Sequence, residues 1–266
     1  RQYNLYMKTV VSLQNNLISL ADKTFPGANE LFSSPERADG HQKWVDFVLS
    51  FWHCECVCHI SEKAFMERYR KWCKRHGYNF SSGKAAEIHE STKNQIALLP
   101  KDAMTKMLVH QAIEQLNAVS KAVELLRTEM NRLAQQLPEY PVVMAMGGVG
   151  KSLGPQLMAE IGDVTRFAHK GSLAAYAGVD PGANQSGTHE AKSTASSKSG
   201  SPELRKTLFM VMSSLLQTSL ANDPVFQFLD KKRAEGKPYY VYMTAGANKF
   251  LRVYYGRVKE YLLSMG

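Results

Sequence analysis

The stretch PVVMAMGGVGKSLGPQLMAEIGD, residues 141–163, decides the fold, because its two readings lead to different architectures. As a phosphate-binding loop, PVVMAM would be a strand, and the glycines would cradle a phosphate ahead of Lys151 and Ser152 at a helix start. That pattern is incomplete. Ala145 stands where the loop's first glycine belongs, and Pro155 is tolerable only in a first helical turn. Residues 153–266 also lack the strand–helix alternation of a parallel sheet. The second reading is a helix-hairpin-helix: an apolar turn with Gly148 and Gly150, then a helix from Leu153 to Ile161 closed by Gly162. Glycine there lets backbone amides approach a nucleic-acid phosphate that a side chain would keep away. A plain helix–helix turn uses glycine in the same way.

Upstream, apolar residues repeat with a 3,4 spacing. Val109, Ala112, Leu116, Val119, Val123, Leu126, Met130, Leu133 and Leu137 form an unbroken seam that stops at Pro138. Four heptads of this kind predict a coiled coil. A shorter seam, Tyr3, Tyr6, Val10, Leu13, Leu17 and Leu20, ends at Pro26-Gly27. The two seams either pack on each other within one chain or form a dimer interface. Residues 28–100 read as short helices and loops. Downstream, a helix from about Pro202 to Leu220 carries Leu204, Leu208, Met212, Leu215 and Leu216 on one face. The fold class predicted for the whole chain is mainly α, with long coiled-coil helices and an all-α C-terminal domain containing the hairpin.

Composition narrows the function classes. The 266 residues carry 33 Lys and Arg against 24 Asp and Glu, a formal charge of +9. Residues 151–266 hold 15 basic against 9 acidic side chains, so the C-terminal half suits a polyanionic partner. The longest uncharged run, Thr207 to Asn222, is 16 residues and too polar to cross a bilayer. Four cysteines, three of them within five positions, point to a reducing compartment rather than a disulfide scaffold. The chain begins at Arg1 inside a helical pattern, and is expected to be the C-terminal part of something longer.

Three clusters have the residue types of a site. His53, Cys54, Cys56, Cys58 and His59, with Cys73 and His76, have zinc-ligand chemistry, but alternate-residue spacing is not the C-x₂-C pairing of structural zinc sites. Buried free thiols are the competing account. Arg68, Arg70, Lys71, Lys74 and Arg75 interleave with Tyr69 and Trp72, which suits either a nucleic-acid face or an amphipathic helix with its rings inward. Ser186, in NQSG, sits in a turn-rich stretch with no G-x-S-x-G elbow and no assignable base. Lys192, Lys198 and Arg205 downstream have the charge for phosphoryl transfer, or are solvated loop residues. The residues alone leave this open.

The ordered set GVG, LMAEIGD, F, LAAYAGVDPG, QSG, SSKSGSPELR resembles the C-terminal transposase domain of the bacterial insertion-sequence family numbered one hundred and ten, the DEDD or bridge recombinases, to which the Piv-type DNA invertases are related. The resemblance covers residues 138–266 and the coiled coil before them. It implies a coiled coil over 101–137 and a transposase domain over 138–266; residues 28–100 match nothing in the family, and residues 1–100 read as a helical linker or insertion segment. It makes Ser186 the nucleophile that attacks a DNA phosphodiester. It places Ser197, Lys198, Gly200 and Arg205 near that serine and the nucleic acid, with Gly148, Gly150 and Lys151 at a second backbone contact. Ser199 departs from the pattern, where family members often carry a basic residue.

The family's Mg²⁺ is bound by four acidic residues of a RuvC-like domain, which would precede Arg1. The chain by itself is therefore expected to be inactive and to bind no metal. The implied partners are DNA, a structured guide RNA and a second copy of the chain through the coiled coil. The implied setting is the bacterial cytoplasm, at the nucleoid. The alternative is a non-catalytic nucleic-acid-binding and dimerisation module.

Overall fold

Serine, aspartate, proline and glycine set many of the helix ends. Ser61 accepts a hydrogen bond from the Ala64 amide at one helix start, and Gly77, at a left-handed φ of 70°, closes the same helix. Ser201 and Asp223 cap two further helices, each followed by proline at the first helical position. A computed structural model describes residues 1–33, 40–181 and 196–265, with the backbone alone of Gln185–Ser186 and His189–Glu190.

In chain order the helices are α1 (Gln2–Thr24), α2 (Lys43–Ser50), α3 (Glu55–Cys58), α4 (Glu62–His76), α5 (Ser82–Thr92), α6 (Ala103–Ala134), α7 (Tyr140–Met144), α8 (Leu153–Ile161), α9 (Lys170–Ala177), α10 (Pro202–Thr218), α11 (Pro224–Ala234) and α12 (Tyr239–Met265). Two short antiparallel strands, β1 (Gln185–Ser186) and β2 (His189–Glu190), lie between α9 and α10. The chain is mainly α, as its periodicities predict. The apolar run before the glycines is the helix α7, with Val143 in the core, and not a strand. That removes the strand a phosphate-binding loop requires.

The chain divides into two compact units, Arg1–Leu126 and Arg127–Gly266. The first has an aromatic core in which Phe47 stacks on Phe51 at 4.8 Å and meets Trp72 edge-on at 5.6 Å. Such pairs add about 0.5–1.5 kcal/mol each beyond their buried area. Both seams feed this core. Val10 and Leu17 of α1 are buried in the same cluster as Val109, Ile113, Leu116 and Val123 of α6. The α6 seam is thus covered by its own chain as far as Val123. Leu133 and Leu137, further on, are exposed. The buried Asp46 carboxylate accepts from Tyr78 Oη at 2.6 Å and lies 3.1 Å from His41 Nδ1.

The second unit packs α8, α9, α10 and α12 around Leu157, Leu173, Leu208, Met212 and Phe250. In α10, Leu204, Leu208, Met212 and Leu215 all point inward, as their spacing predicts. No helix among the described residues is long and apolar enough to cross a membrane.

Candidate functional site

The site is built where α9 stops. Gly178 takes φ 66°, and its amide and that of Val179 bond back to Ala175 O and Ala174 O at 2.9 and 3.2 Å. This left-handed close turns the chain outward through Asp180 and Pro181. After residues 182–195 it returns alongside itself, with Ser196 bridged to Pro181 in antiparallel register. Three amides then bond to the outgoing segment: Ser197 to Asp180 O at 3.0 Å, Lys198 to Gly178 O at 3.2 Å and Ser201 to Tyr176 O at 2.7 Å. The Ser197 hydroxyl donates to Asp180 Oδ1 at 2.6 Å.

Gly200 is dictated by this crossing. A Cβ there would lie 2.0 Å from the Tyr176 carbonyl oxygen, a distance no side chain can hold. Lys198 takes φ 52°, unusual for a residue with a side chain, and its side chain is exposed. Left-handed backbone of this kind costs roughly 1–2 kcal/mol, offset here by the surrounding hydrogen bonds. Arg205, half-buried on the first turn of α10, donates from Nη1 to Ala177 O at 3.0 Å and so caps the C-terminal end of α9. Ser201, the cap of α10, also donates to Glu160 Oε2 at 3.1 Å.

Beside this crossing lies a cleft of about 860 Å³ whose lining includes Lys198, Arg205, Lys206, Arg252, Phe209 and Tyr240. None of its described lining residues is acidic. Asn248 on α12 donates to Val179 O at 3.2 Å and accepts from Arg252 Nε at 2.8 Å, tying the far wall to the crossing. Tyr240 is 74% exposed. Cations with an exposed ring match the chemistry of a phosphodiester chain and its bases.

Of the residues singled out from the sequence, Ser197, Lys198, Gly200 and Arg205 come together here. Ser186 lies on β1, paired with His189, and its hydroxyl falls outside the described residues. Lys192 lies outside them altogether. Gly148, Gly150 and Lys151 are elsewhere. Gly148, at φ 74°, backs onto α10, where a Cβ would meet Val211 O at 2.6 Å. Gly150 and Lys151 are exposed, and a Cβ on Gly150 would meet nothing within 4 Å. The two glycines therefore do different work. Gly148 seats the turn, and Gly150 leaves a backbone open to solvent.

Sequence reasoning missed Asp180, Lys206, Asn248 and Arg252. Asp180 stands inside the YAGVDPG motif, and Asn248 and Arg252 are four apart on a helix, but only the crossing puts them in one place.

The cysteine cluster does not assemble. Cys54 and Cys73 are buried, and burial pushes the thiols of Cys54, Cys56, Cys58 and Cys73 up from their ordinary value. Both His53 ring nitrogens are engaged: Nδ1 accepts from the Glu55 amide at 3.2 Å, and Nε2 donates to Leu99 O at 3.1 Å. Among the described residues no group of three or more His, Cys, Asp or Glu side chains could hold a metal ion. The described residues of this cluster therefore do not make the zinc site their types suggest.

Residues 140–226, which run from α7 into α11 and include the crossing, match the transposase IS116/IS110/IS902 family. That stretch of the chain is similar to the transposase domain the family model describes. The pilin gene-inverting protein of Moraxella bovis is 32% identical over 133 residues, 50% of this chain and 38% of that protein. The protein of the same name from Moraxella lacunata matches to the same extent. The insertion element IS116 uncharacterized 44.8 kDa protein of Streptomyces clavuligerus is 25% identical over 122 residues, 46% of this chain and 31% of that protein. The chain spans less than two fifths of the length of these curated relatives.

Proposed function

We propose that this chain is part of a DNA recombinase or transposase and that its C-terminal unit holds the DNA strand at the point of exchange. The observation that carries the reading is the crossing of residues 176–181 with 196–201, which gathers the residues flanking Ser186 beside a basic cleft inside the transposase-family match. Ser186 Oγ attacks the phosphorus of a phosphodiester; the Ser–O–P bond forms as the P–O3′ bond breaks. The serine proton leaves, and the departing 3′ oxygen takes one up. Lys198 and Arg205 neutralise the phosphate charge that builds up in that step. Ser197 and Gly200 position the loop, and Gly150 and Lys151 supply a second, sequence-independent backbone contact in a helix-hairpin-helix manner.

The four acidic Mg²⁺ ligands of the resembled family belong to a RuvC-like domain outside these residues, and no step here runs through the metal. On this reading the chain alone does not cleave DNA. A guide RNA and a second copy, joined through the exposed Leu133 and Leu137 of the coiled-coil segment, complete the assembly in a bacterial cytoplasm, at the nucleoid.

The test is covalent capture. The whole natural protein, with its flanking non-coding RNA and a DNA carrying donor and recipient sites, is denatured after reaction and probed for a protein–DNA adduct. Wild type should give an adduct that Ser186→Ala abolishes while DNA binding persists. Strand exchange retained by Ser186→Ala would overturn the serine assignment. Binding without an adduct in either protein would favour the non-catalytic binding module.

A further inference from the structure

The N-terminal unit, outside the family match, has a cationic face that the proposed recombinase role does not use. In α4 the rings of Tyr69 and Trp72 point inward, 1% and 4% exposed, so the helix is amphipathic with its rings in the core. Its charges point out. Arg70 is taken up by Glu67 at 3.2 Å. Arg68, Lys71 and Arg75 have no carboxylate partner among the described residues, and their 3,4 spacing puts them on one stripe about 10 Å long. They line a cavity of about 550 Å³ together with Lys101, which reaches in from the segment between α5 and α6. Lys101 Nζ donates to Glu55 O at 3.4 Å. Glu55 is the one acidic residue among those lining the cavity, and its carboxylate lies 3.5 Å from His59 Nδ1.

We infer that this stripe is a second DNA contact, gripping the phosphate backbone of duplex DNA without reading its sequence. Four cations converging from two separate segments, largely without acidic partners, concentrate positive potential on one cavity, and like charges so placed are stabilised by a polyanion. The occupant is duplex rather than single-stranded because the aromatic residues under the stripe are buried: Phe51 is 6% and Trp72 4% exposed, so neither ring is available to stack an unpaired base. A rigid 15-residue helix with cations along one side fits a run of phosphates. The inference rests on the DNA role proposed for the C-terminal unit, and extends the footprint beyond the transposase-family domain.

The experiment measures binding of the full chain to a mixed-sequence duplex of about 30 base pairs, long enough for several phosphate contacts, over a salt series. A folded RNA hairpin of equal charge is the second probe. Arg68→Gln/Lys71→Gln/Arg75→Gln should weaken duplex binding by roughly tenfold or more at moderate salt. It should also lower the slope of log K against log salt by about 2.7, at about 0.9 for each phosphate no longer neutralised. Arg68→Lys/Lys71→Arg/Arg75→Lys should bind like wild type, and both variants should melt like wild type because the changed residues lie on the surface. Unchanged duplex affinity and slope in the glutamine variant, with wild type binding, would overturn this inference and leave the C-terminal role standing. A loss confined to the RNA probe would also overturn it. Failure of wild type to bind duplex DNA at all would sink both.

Discussion

The Ser197 hydroxyl and the Asp180 carboxylate meet at 2.6 Å, and this bond closes the base of the loop on which Ser186 is carried. Both residues are half-buried, and each belongs to one side of the crossing, so the bond ties the outgoing chain to the returning one. A hydrogen bond to a charged acceptor contributes about 1.5–3 kcal/mol, enough to hold a loop base in one register.

On the function proposed above, Ser197→Ala should therefore lower the rate of strand cleavage by the complete protein while leaving its DNA affinity near wild type. Single-turnover cleavage and equilibrium binding, measured on the same preparation, separate the two. A variant that binds more weakly but cleaves at the full rate once bound would make Ser197 a DNA ligand and not a positioning residue.

The two glycines of the 146–150 turn should respond differently to alanine. Gly148→Ala forces a Cβ against the Val211 carbonyl at 2.6 Å from a left-handed backbone, and should cost about 1–3 kcal/mol in urea unfolding. Gly150→Ala meets open space and should change stability by less than about 0.5 kcal/mol. If Gly150 is the backbone contact with nucleic acid, the same change should still weaken DNA binding. Binding equal to wild type would leave the turn a purely structural one.

Alkaline pH should destabilise the N-terminal unit. Burial raises the pKa of the Cys54, Cys56, Cys58 and Cys73 thiols and of the Tyr69 phenol. A raised folded pKa means that the folded chain keeps protons the unfolded chain has released. The stabilisation is fully present below the unfolded thiol value of about 8.5 and is lost as pH rises through the folded values. Urea midpoints should stay flat from about pH 7 to about 8 and fall beyond it. Cys54→Ala/Cys73→Ala should flatten the fall, and an equally steep fall in that variant would assign it to other groups.

The apolar seam of residues 109–137, whose last residue Leu137 lies beyond the end of α6 at Ala134, should divide into two functional halves. Leu116→Ala, at a position 2% exposed, should cost about 2–5 kcal/mol because it opens a cavity in the chain's own core. Leu133→Asp/Leu137→Asp changes exposed positions and should leave stability nearly unaltered while converting the proposed dimer to a monomer in sedimentation velocity. A dimer that survives the second change would place the partner contact elsewhere.

Helix content and several helix starts and ends were legible from residue types because they are set locally, although α6 ends at Ala134, short of the Leu137 to which its seam runs. Ser201 and Pro202 start α10, Gly178 ends α9, and the 3,4 spacing of Leu204, Leu208 and Met212 selects the inward face. PVVMAM misleads because a short apolar run fits a strand or a buried helical turn equally well, and packing decides between them. The cysteine–histidine run misleads in a similar way. It shows ligand chemistry, but not that His53 spends both ring nitrogens on backbone groups.

By itself, the sequence determined the mainly α class, the capped helices, the basic balance and the ordered motif set by which residues 140–226 resemble a transposase family. These depend on residue type and on spacings of a few positions. Only the tertiary structure decided which cations share a cleft, that α6 buries its seam within the chain as far as Val123, and that Gly148 serves packing while Gly150 stays open. Lys198 and Arg252 are far apart in the chain, and Asp180 meets Ser197 only because a left-handed glycine at 178 turns the backbone. Contacts between distant residues depend on how the whole chain closes on itself, and local spacing carries no record of that closure.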